Sequence, residues 1–434
     1  MKSSLSSPRK TSRKSAPNPA LESVPVSVPL AVPLLDLRRQ YDGIREDVLV
    51  AIARVCDSQS FILGPEVEAL EREIAALTGA ACAVGCASGT EALWLALVAA
   101  GVKPGDSVIT TAFSFFASAS AIVRAGATPV FVDVDPGTLN LDAALVGQQL
   151  RDRQLRRERP ENVRAILPVH LYGQCADMDA FDRVVKEYGK ENTEEYSQKS
   201  GVAIIEDAAQ AIGAKWSGHA AGSLGVAAAF SFYPTKNLSA YGDAGLVTTN
   251  SPEMAAHMRR LRNHGSSRRY VHEEFGWNSR LDAIQAAILR VKLKYVEGWN
   301  EARRQCAARY DQLFAVAGLT SSAEQSAAGR GENAAPIQLP PTAAQAHHVF
   351  HQYVVRAYRR DELREFLTAR KIGTEIYYPL PLHLQPCFLY LGYREGDFPE
   401  AERAAKEVLA LPMFPELSED EQRWVVTSIA DFYC

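Results

Sequence analysis

Short runs that are apolar or nearly so recur between residues 81 and 230: Ala81 to Val84, Ser107 to Thr110, Thr128 to Asp133, Val163 to Val169, Val202 to Glu206 and Val226 to Phe230. A strand with one wet face alternates apolar and polar side chains. Unbroken runs of this kind therefore need cover on both faces. Helical spacing of apolar residues marks Asp42 to Cys56, Pro65 to Leu77 and Thr90 to Ala100. Strands spaced by helices predict an α/β fold with a mostly parallel central sheet flanked by helices.

At 434 residues the chain is long enough for two domains. Residues 1–28 hold Ser, Pro, Lys and Arg with almost no large apolar side chain, which predicts a disordered basic tail. A large domain is expected over 29–290. Beyond it the texture changes to an alternating run, Phe350 to Val355, and helical patterns at Arg360 to Lys371 and Pro399 to Leu409. These predict a smaller C-terminal α+β domain over 291–434. Glu187 to Ser200 and Ser321 to Ala335 read as polar surface excursions.

The net charge is −4, and the five basic residues of the first 21 leave a more acidic body. That balance argues against nucleic acid or an anionic membrane as partner. Seven scattered cysteines form no disulfide framework and suit reduced thiols in the cytoplasm. No apolar run approaches the ~20 residues that span a bilayer.

Chemistry concentrates at three places. Ser88, Gly89 and Thr90 stand where a strand gives way to a helix, so free N–H groups of a first turn can hold a phosphate. Asp207 follows the apolar run ending at Glu206, at the carboxyl end of a strand, where it can hold a protonated ring nitrogen. Lys236 lies among aromatic and small residues in Phe230-Ser-Phe-Tyr-Pro-Thr-Lys236-Asn, company that favours a neutral, nucleophilic amine. Ser231, in the same stretch, offers a hydroxyl. A helix cap explains Ser88 or Asp207 taken singly. Together the three ask for a ligand with a phosphate, a basic ring nitrogen and an aldehyde, and pyridoxal phosphate has all three.

These words resemble the DegT/DnrJ/EryC1/StrS family of sugar aminotransferases, which have the fold-type I, aspartate aminotransferase-like architecture. The resemblance also rests on Phe61-Ile-Leu-Gly-Pro-Glu66, Pro168-Val-His-Leu-Tyr-Gly173, Leu261-Arg-Asn-His-Gly265, Gly276-Trp-Asn-Ser-Arg-Leu-Asp282 and Tyr378-Pro-Leu-Pro-Leu-His-Leu-Gln-Pro386. It implies that Lys236 condenses with the cofactor aldehyde and later carries a proton, and that Asp207 pairs with the ring nitrogen. It implies that Gln210 lies near the ring's phenolic oxygen and that Phe115 stacks on the ring. Ser88, Gly89, Thr90 and Ser231 would bind the phosphate, joined by Asn278 from the second subunit of a homodimer with shared sites. His170, Tyr172, Arg280, Tyr377, Tyr378 and His383 are candidate substrate contacts. Tyr377 stands where the family often has histidine, and Ala244 where glycine is common.

The resemblance implies transfer of an amino group from L-glutamate to a keto group, C3 above all, of a dTDP- or UDP-linked sugar. Two rival readings are a sugar dehydratase of the same family and a non-catalytic regulator that senses a sugar. In the dehydratases a histidine replaces the lysine, so Lys236 favours amine transfer. His347, His348 and His351 resemble a metal cluster, but alternate positions of a strand face opposite ways, and no metal is expected. Neither a P-loop nor a Gly-x-Gly-x-x-Gly fingerprint is present.

Overall fold

The computed structural model describes residues 31–156, 163–191, 201–320 and 335–434. The tail over 1–28 and most of the excursions at 187–200 and 321–335 lie outside the described residues.

The apolar runs form strands β1 (Cys82–Cys86), β2 (Ser107–Thr111), β3 (Thr128–Val132), β4 (Val163–Leu167) and β5 (Ala203–Asp207). A small hairpin follows, β6 (Lys215–Trp216) and β7 (His219–Ala220), then β8 (Ala227–Ser231) and β9 (Gly245–Thr249). Seven of these make one sheet in the order β1-β9-β8-β5-β4-β2-β3. It is parallel except at β9, which runs antiparallel to both β1 and β8. Successive residues feed opposite cores. Ile109, Ile204, Ala228, Phe230 and Leu246 enter one, and Val108, Ile205, Ala227, Ala229 and Val247 the other. That double burial is why these strands carry no polar face.

Helices α1 (Leu37–Ser58), α2 (Pro65–Thr78), α3 (Gly89–Ala99), α4 (Ala117–Arg124), α5 (Ala143–Arg156), α6 (Met178–Glu191), α7 (Pro252–Leu261) and α8 (Ala283–Leu293) surround this sheet. Val67 and Leu70 of α2, Val146 of α5, Phe181 of α6 and Leu289 of α8 pack on one face. The other face takes Leu93 to Leu97 of α3, Ile122 of α4 and Met258 of α7. This is the mostly parallel, helix-covered sheet that the sequence predicts, in the fold-type I arrangement that the family resemblance implies. The alanines of β8 leave room for α3, which is buried from Ala92 to Leu97 and carries no wet face.

After the small hairpin β10 (Ser266–Arg268) and β11 (Val271–His272) and helix α9 (Val296–Val316), a separate core gathers around β12 (Ile337–Gln338), β14 (Tyr353–Ala357) and β15 (Val408–Leu411), an antiparallel sheet with β14 in the centre, while β13 (Ala346–His347) pairs with β6. Helices Arg360–Ala369 and Glu419–Tyr433 cover it, and Val32 joins the same core beside Ile372. Two expectations are corrected here. The helix at Pro399 ends at Glu407, because Val408 turns to extended backbone and begins a fully buried strand. The alternating run is a strand only from Tyr353, since Phe350 takes a left-handed backbone with φ 41°.

One buried carboxylate joins the strand ends that face the site. Glu206 is fully buried and accepts from the N–H groups of Gly222 (2.9 Å), Leu224 (2.9 Å) and Gly225 (2.8 Å). Its Oε2 also meets His170 Nε2 at 2.9 Å. The N–H of Ala176 donates to His170 Nδ1 at 3.1 Å, so the ring proton is on Nε2 and is donated to Glu206. The carboxylate thus ties the segment after β4, the end of β5 and the turn before β8. A carboxamide at this position has one acceptor fewer and turns an N–H₂ toward the donors. Glu206→Gln is expected to cost about 2–3 kcal/mol of stability, read from the urea midpoint; an unmoved midpoint would show that the four donors find other partners.

Candidate active site

The carboxyl ends of β5 and β8 carry the groups the sequence singles out. Asp207, the last residue of β5, is 4% exposed. It accepts from the Ser118 hydroxyl at 2.8 Å and from the Ala209 N–H at 3.2 Å, and Ser114 backs Ser118 at 3.1 Å. Burial raises the Asp207 carboxyl above its ordinary range; the two hydrogen bonds and the Lys236 charge act against that shift. Lys236 sits in the turn after β8. Burial lowers its ammonium from 10.5 to about 8, with Asp207 pulling the other way. A lysine lowered this far is partly neutral near physiological pH, which an exposed lysine is not.

The Lys236 turn is pinned on both sides. Next to it, Asn237 donates to Asn300 Oδ1 (2.8 Å) on α9 and to the Val349 carbonyl (3.2 Å). Its Oδ1 faces His351 Nδ1 at 3.0 Å, so Nδ1 carries the ring proton. Burial, with the Lys236 and Arg303 charges, holds His351 well below its usual value and therefore neutral. Further on, Lys292 of α8 donates to the Ser239 hydroxyl at 2.6 Å, and Gln285 accepts from the Tyr241 N–H at 2.8 Å. A cavity of about 110 Å³ opens beside this turn, lined by Thr235, His351, Gln352 and Tyr377 over an apolar floor that includes Leu35 and Met413.

Opposite lies a close-fitting small-residue cradle. Ser88 caps α3 by accepting from the Glu91 N–H at 3.2 Å, which leaves the earlier N–H groups of the turn, those of Gly89 and Thr90, outside that cap. A Cβ on Gly89 would lie 2.5 Å from Ser231 Cβ, and one on Gly245 would lie 2.1 Å from the Ser88 carbonyl oxygen. Only glycine allows both approaches. Ser88, Gly89, Thr90 and Ser231 are thereby brought to one spot. Phe115 is 63% exposed, so its ring is free to be covered by a ligand. The residues present fit pyridoxal phosphate: a donor-rich cradle, a buried acid, and an amine lowered toward neutrality.

The remaining candidates divide. Gln210 is committed within the protein, accepting from the Tyr172 N–H at 2.7 Å and donating to the Tyr378 hydroxyl at 3.0 Å. Tyr172 and Tyr378 stack at 6.2 Å, and both hold left-handed backbones, φ 57° and 64°. Such angles are costly for an aromatic residue and cluster at functional sites. His170 and His383 do not reach the cleft surface as substrate contacts would. Both are fully buried; His170 spends both nitrogens internally, and His383 Nε2 meets Glu402 at 3.1 Å. Asn278 and Arg280 bond to each other and to Asn263 and to none of the other candidates. The three histidines near residue 350 part company: His347 is on β13 (Ala346–His347), His348 stacks on Phe350, and His351 serves Asn237. Among the described residues no group of three metal-ligating side chains converges.

Sequence reasoning missed Ser118 and Asn237, and weighed His351 only as a metal ligand. Ser118 sits three residues after Phe115, and its spacing from the aromatic was the available signal. Nothing local signalled the pairing of Asn237 with His351, since the two are remote in sequence.

Comparison with known proteins agrees with this geometry. The profile of the DegT/DnrJ/EryC1/StrS aminotransferase family matches residues 42–430. A pleiotropic regulatory protein of Geobacillus stearothermophilus is 49% identical over 92% of this chain and 98% of its own length. The UDP-N-acetyl-3-dehydro-α-D-glucosamine 3-aminotransferase of Acidithiobacillus ferrooxidans is 41% identical over 91% of this chain and 96% of its own. The crystal structure of DesV from S. venezuelae, in complex with a ketimine intermediate, superposes with a TM-score of 0.81 at 41% identity, covering 93% of this chain and 98% of that one. With its profile matched almost end to end and its strand ends carrying a fitting cofactor site, the chain belongs to the DegT/DnrJ/EryC1/StrS aminotransferase family, whose cofactor is pyridoxal phosphate.

Proposed function

We propose that this protein transfers the amino group of L-glutamate to a keto group, C3 above all, of a dTDP- or UDP-linked sugar. The observation that carries the reading is Lys236, an amine lowered to about 8, set beside the buried Asp207 at the carboxyl edge of the sheet. The 41% identical UDP-sugar 3-aminotransferase supports the substrate class.

Pyridoxal phosphate, when bound, supplies an aldehyde for amine exchange and a protonated ring that draws electrons from the donor's Cα–H bond. The residues of this chain do the rest. Asp207, whose ionised form the Ser118 hydroxyl and the Ala209 N–H favour against desolvation, would keep the ring nitrogen protonated by a charge-assisted bond. Gly89, Thr90 and Ser231 would hold the phosphate, and Phe115 would cover the ring. Lys236, released during turnover, would take the Cα proton of the donor and deliver a proton to the sugar carbon in the second half-reaction. Gln210 holds Tyr172 and Tyr378 as one wall. Tyr377 borders the cavity beside Thr235, where a sugar would enter.

We place the working form as a homodimer with shared sites. Tyr270 (82% exposed), Phe275 (98%) and Trp277 (53%) crowd the segment that carries Asn278, an apolar surface that a second copy would cover. We also propose the division into a large domain over 29–290 and a small one over 291–434, and a cytoplasmic location, which the seven free cysteines favour.

A second reading is regulatory, favoured by the 49% identity to a pleiotropic regulatory protein. The complete set of Lys236, Asp207 and Ser231 speaks for catalysis, since sensing alone needs no lowered lysine.

Adding glutamate to the cofactor-loaded protein is expected to replace the aldehyde-linked absorbance band with that of the aminated cofactor; Lys236→Ala abolishes the cycle. A Lys236→Ala protein that retained full biological activity in cells would establish the regulatory reading instead. In cofactor-free protein, Lys236 is protonated below about 8 and becomes nucleophilic as pH rises through that value. Its acylation rate, mapped by peptide mass spectrometry, is expected to rise with a midpoint near 8; a midpoint at the ordinary 10.5 would refute the lowered amine. Phe275→Asp is expected to shift the native mass from dimer to monomer.

A further inference from the structure

Asn278 and Asn263 face each other as an antiparallel bridge, where the segment after α7 returns toward α8. Arg280 reaches across both. Its Nε donates to Asn278 Oδ1 at 3.0 Å, and its Nη1 approaches Asn263 Oδ1 at 3.4 Å. A guanidinium has donors and no acceptor, so the amide atoms it meets must be the oxygens. This settles the direction of the Asn278 side chain, which two near-identical atoms would otherwise leave open. With Oδ1 turned to Arg280, the N–H₂ group points the other way. It meets no acceptor among the described residues.

The backbone around this amide is held as firmly as the side chain. Trp277 donates its N–H to the Leu261 carbonyl at 2.8 Å, and Ser279 donates to Arg262 at 2.9 Å. A Cβ on Gly276 would lie 2.2 Å from the Gly265 nitrogen, so the two arms of the segment lie in direct backbone contact. The Trp277 ring packs edge-on to Trp94 of α3 at 6.4 Å, with the Arg124 guanidinium 4.7 Å from the Trp94 ring and 5.6 Å from that of Trp277. The result is an exposed pair of N–H donors on a rigid mount. An anion is what such a pair binds; an amide turned the other way would present a lone pair and repel it.

We infer that Arg280 is a positioning residue, which fixes the Asn278 amide with its N–H₂ outward so that it can donate to the cofactor phosphate bound by a second copy of the chain. The inference rests on the reading of Asn278 as that donor. Arg280 itself need touch neither cofactor nor sugar.

The test uses full-length cofactor-free dimer, titrated by absorbance with pyridoxal phosphate and, separately, with pyridoxal, which has the aldehyde but no phosphate. Arg280→Met and Asn278→Ala are each expected to weaken pyridoxal phosphate binding about tenfold, the scale of one lost hydrogen bond to a charged group. Binding of pyridoxal and the dimeric native mass stay unchanged in both, which separates the effect from misfolding. The double variant is expected to be no weaker than Asn278→Ala alone, because Arg280 acts through that amide. Arg280→Lys, which can still donate to Oδ1, restores part of the loss. If Arg280→Met binds pyridoxal phosphate normally while Asn278→Ala does not, the positioning role is overturned and the reading of Asn278 stands. If Asn278→Ala binds normally, that reading fails and the inference falls with it. If the losses multiply in the double variant, Arg280 meets the ligand independently and the inference is overturned.

Discussion

Glu206 is the interaction on which the arrangement of the site depends. A carboxylate without water is tolerated only when its lone pairs are met, and here three backbone N–H groups and one imidazole N–H meet them. Its neighbour Asp207 has a different fate. Successive residues of a strand point to opposite faces, so one carboxylate of the pair turns into the protein and the other toward the proposed cofactor site. Glu206 is saturated and inert. Asp207 keeps capacity for a further donor. Two adjacent acids thus divide structure from chemistry through strand geometry alone.

Much of this was legible in the residues. The apolar runs announced a sheet covered on both faces because burial on each side forbids a polar stripe. Ser88, Gly89, Asp207, Ser231 and Lys236 stood out because each combines a reactive or permissive residue type with the end of such a run. What stayed hidden depends on partners remote in sequence. Nothing local says that His170 is enclosed by Ala176 and Glu206, or that His383 turns to Glu402. The helical pattern over Pro399 to Leu409 ran on into β15 because Val408 to Leu411 suits a buried helix as well as a buried strand. Pairing with β14 decided it.

The lysine shows how a flexible side chain acquires a defined position. Four methylenes give Lys236 many rotamers, but the backbone that carries it has little freedom. Asn237 locks one side through Asn300 and His351, while Lys292 and Gln285 of α8 lock the other. These supports come from both sides of the proposed boundary near residue 290. The turn would therefore respond to any shift of β14 and α9 against the large sheet.

The single reversed strand has a consequence for the order in which the protein acquires its site. β9 lies between β1 and β8, and its first residue, Gly245, pairs with Cys86 on one side and Ser231 on the other. Until that strand is in place, the segment ending at Ser88 and the segment ending at Ser231 have no reason to meet. Contacts between segments so distant in sequence close late, because chain entropy must be lost before they are rewarded. The cradle at Ser88 and Ser231 is thus a property of the finished sheet, and a phosphate captured there during refolding would report the moment β9 inserts.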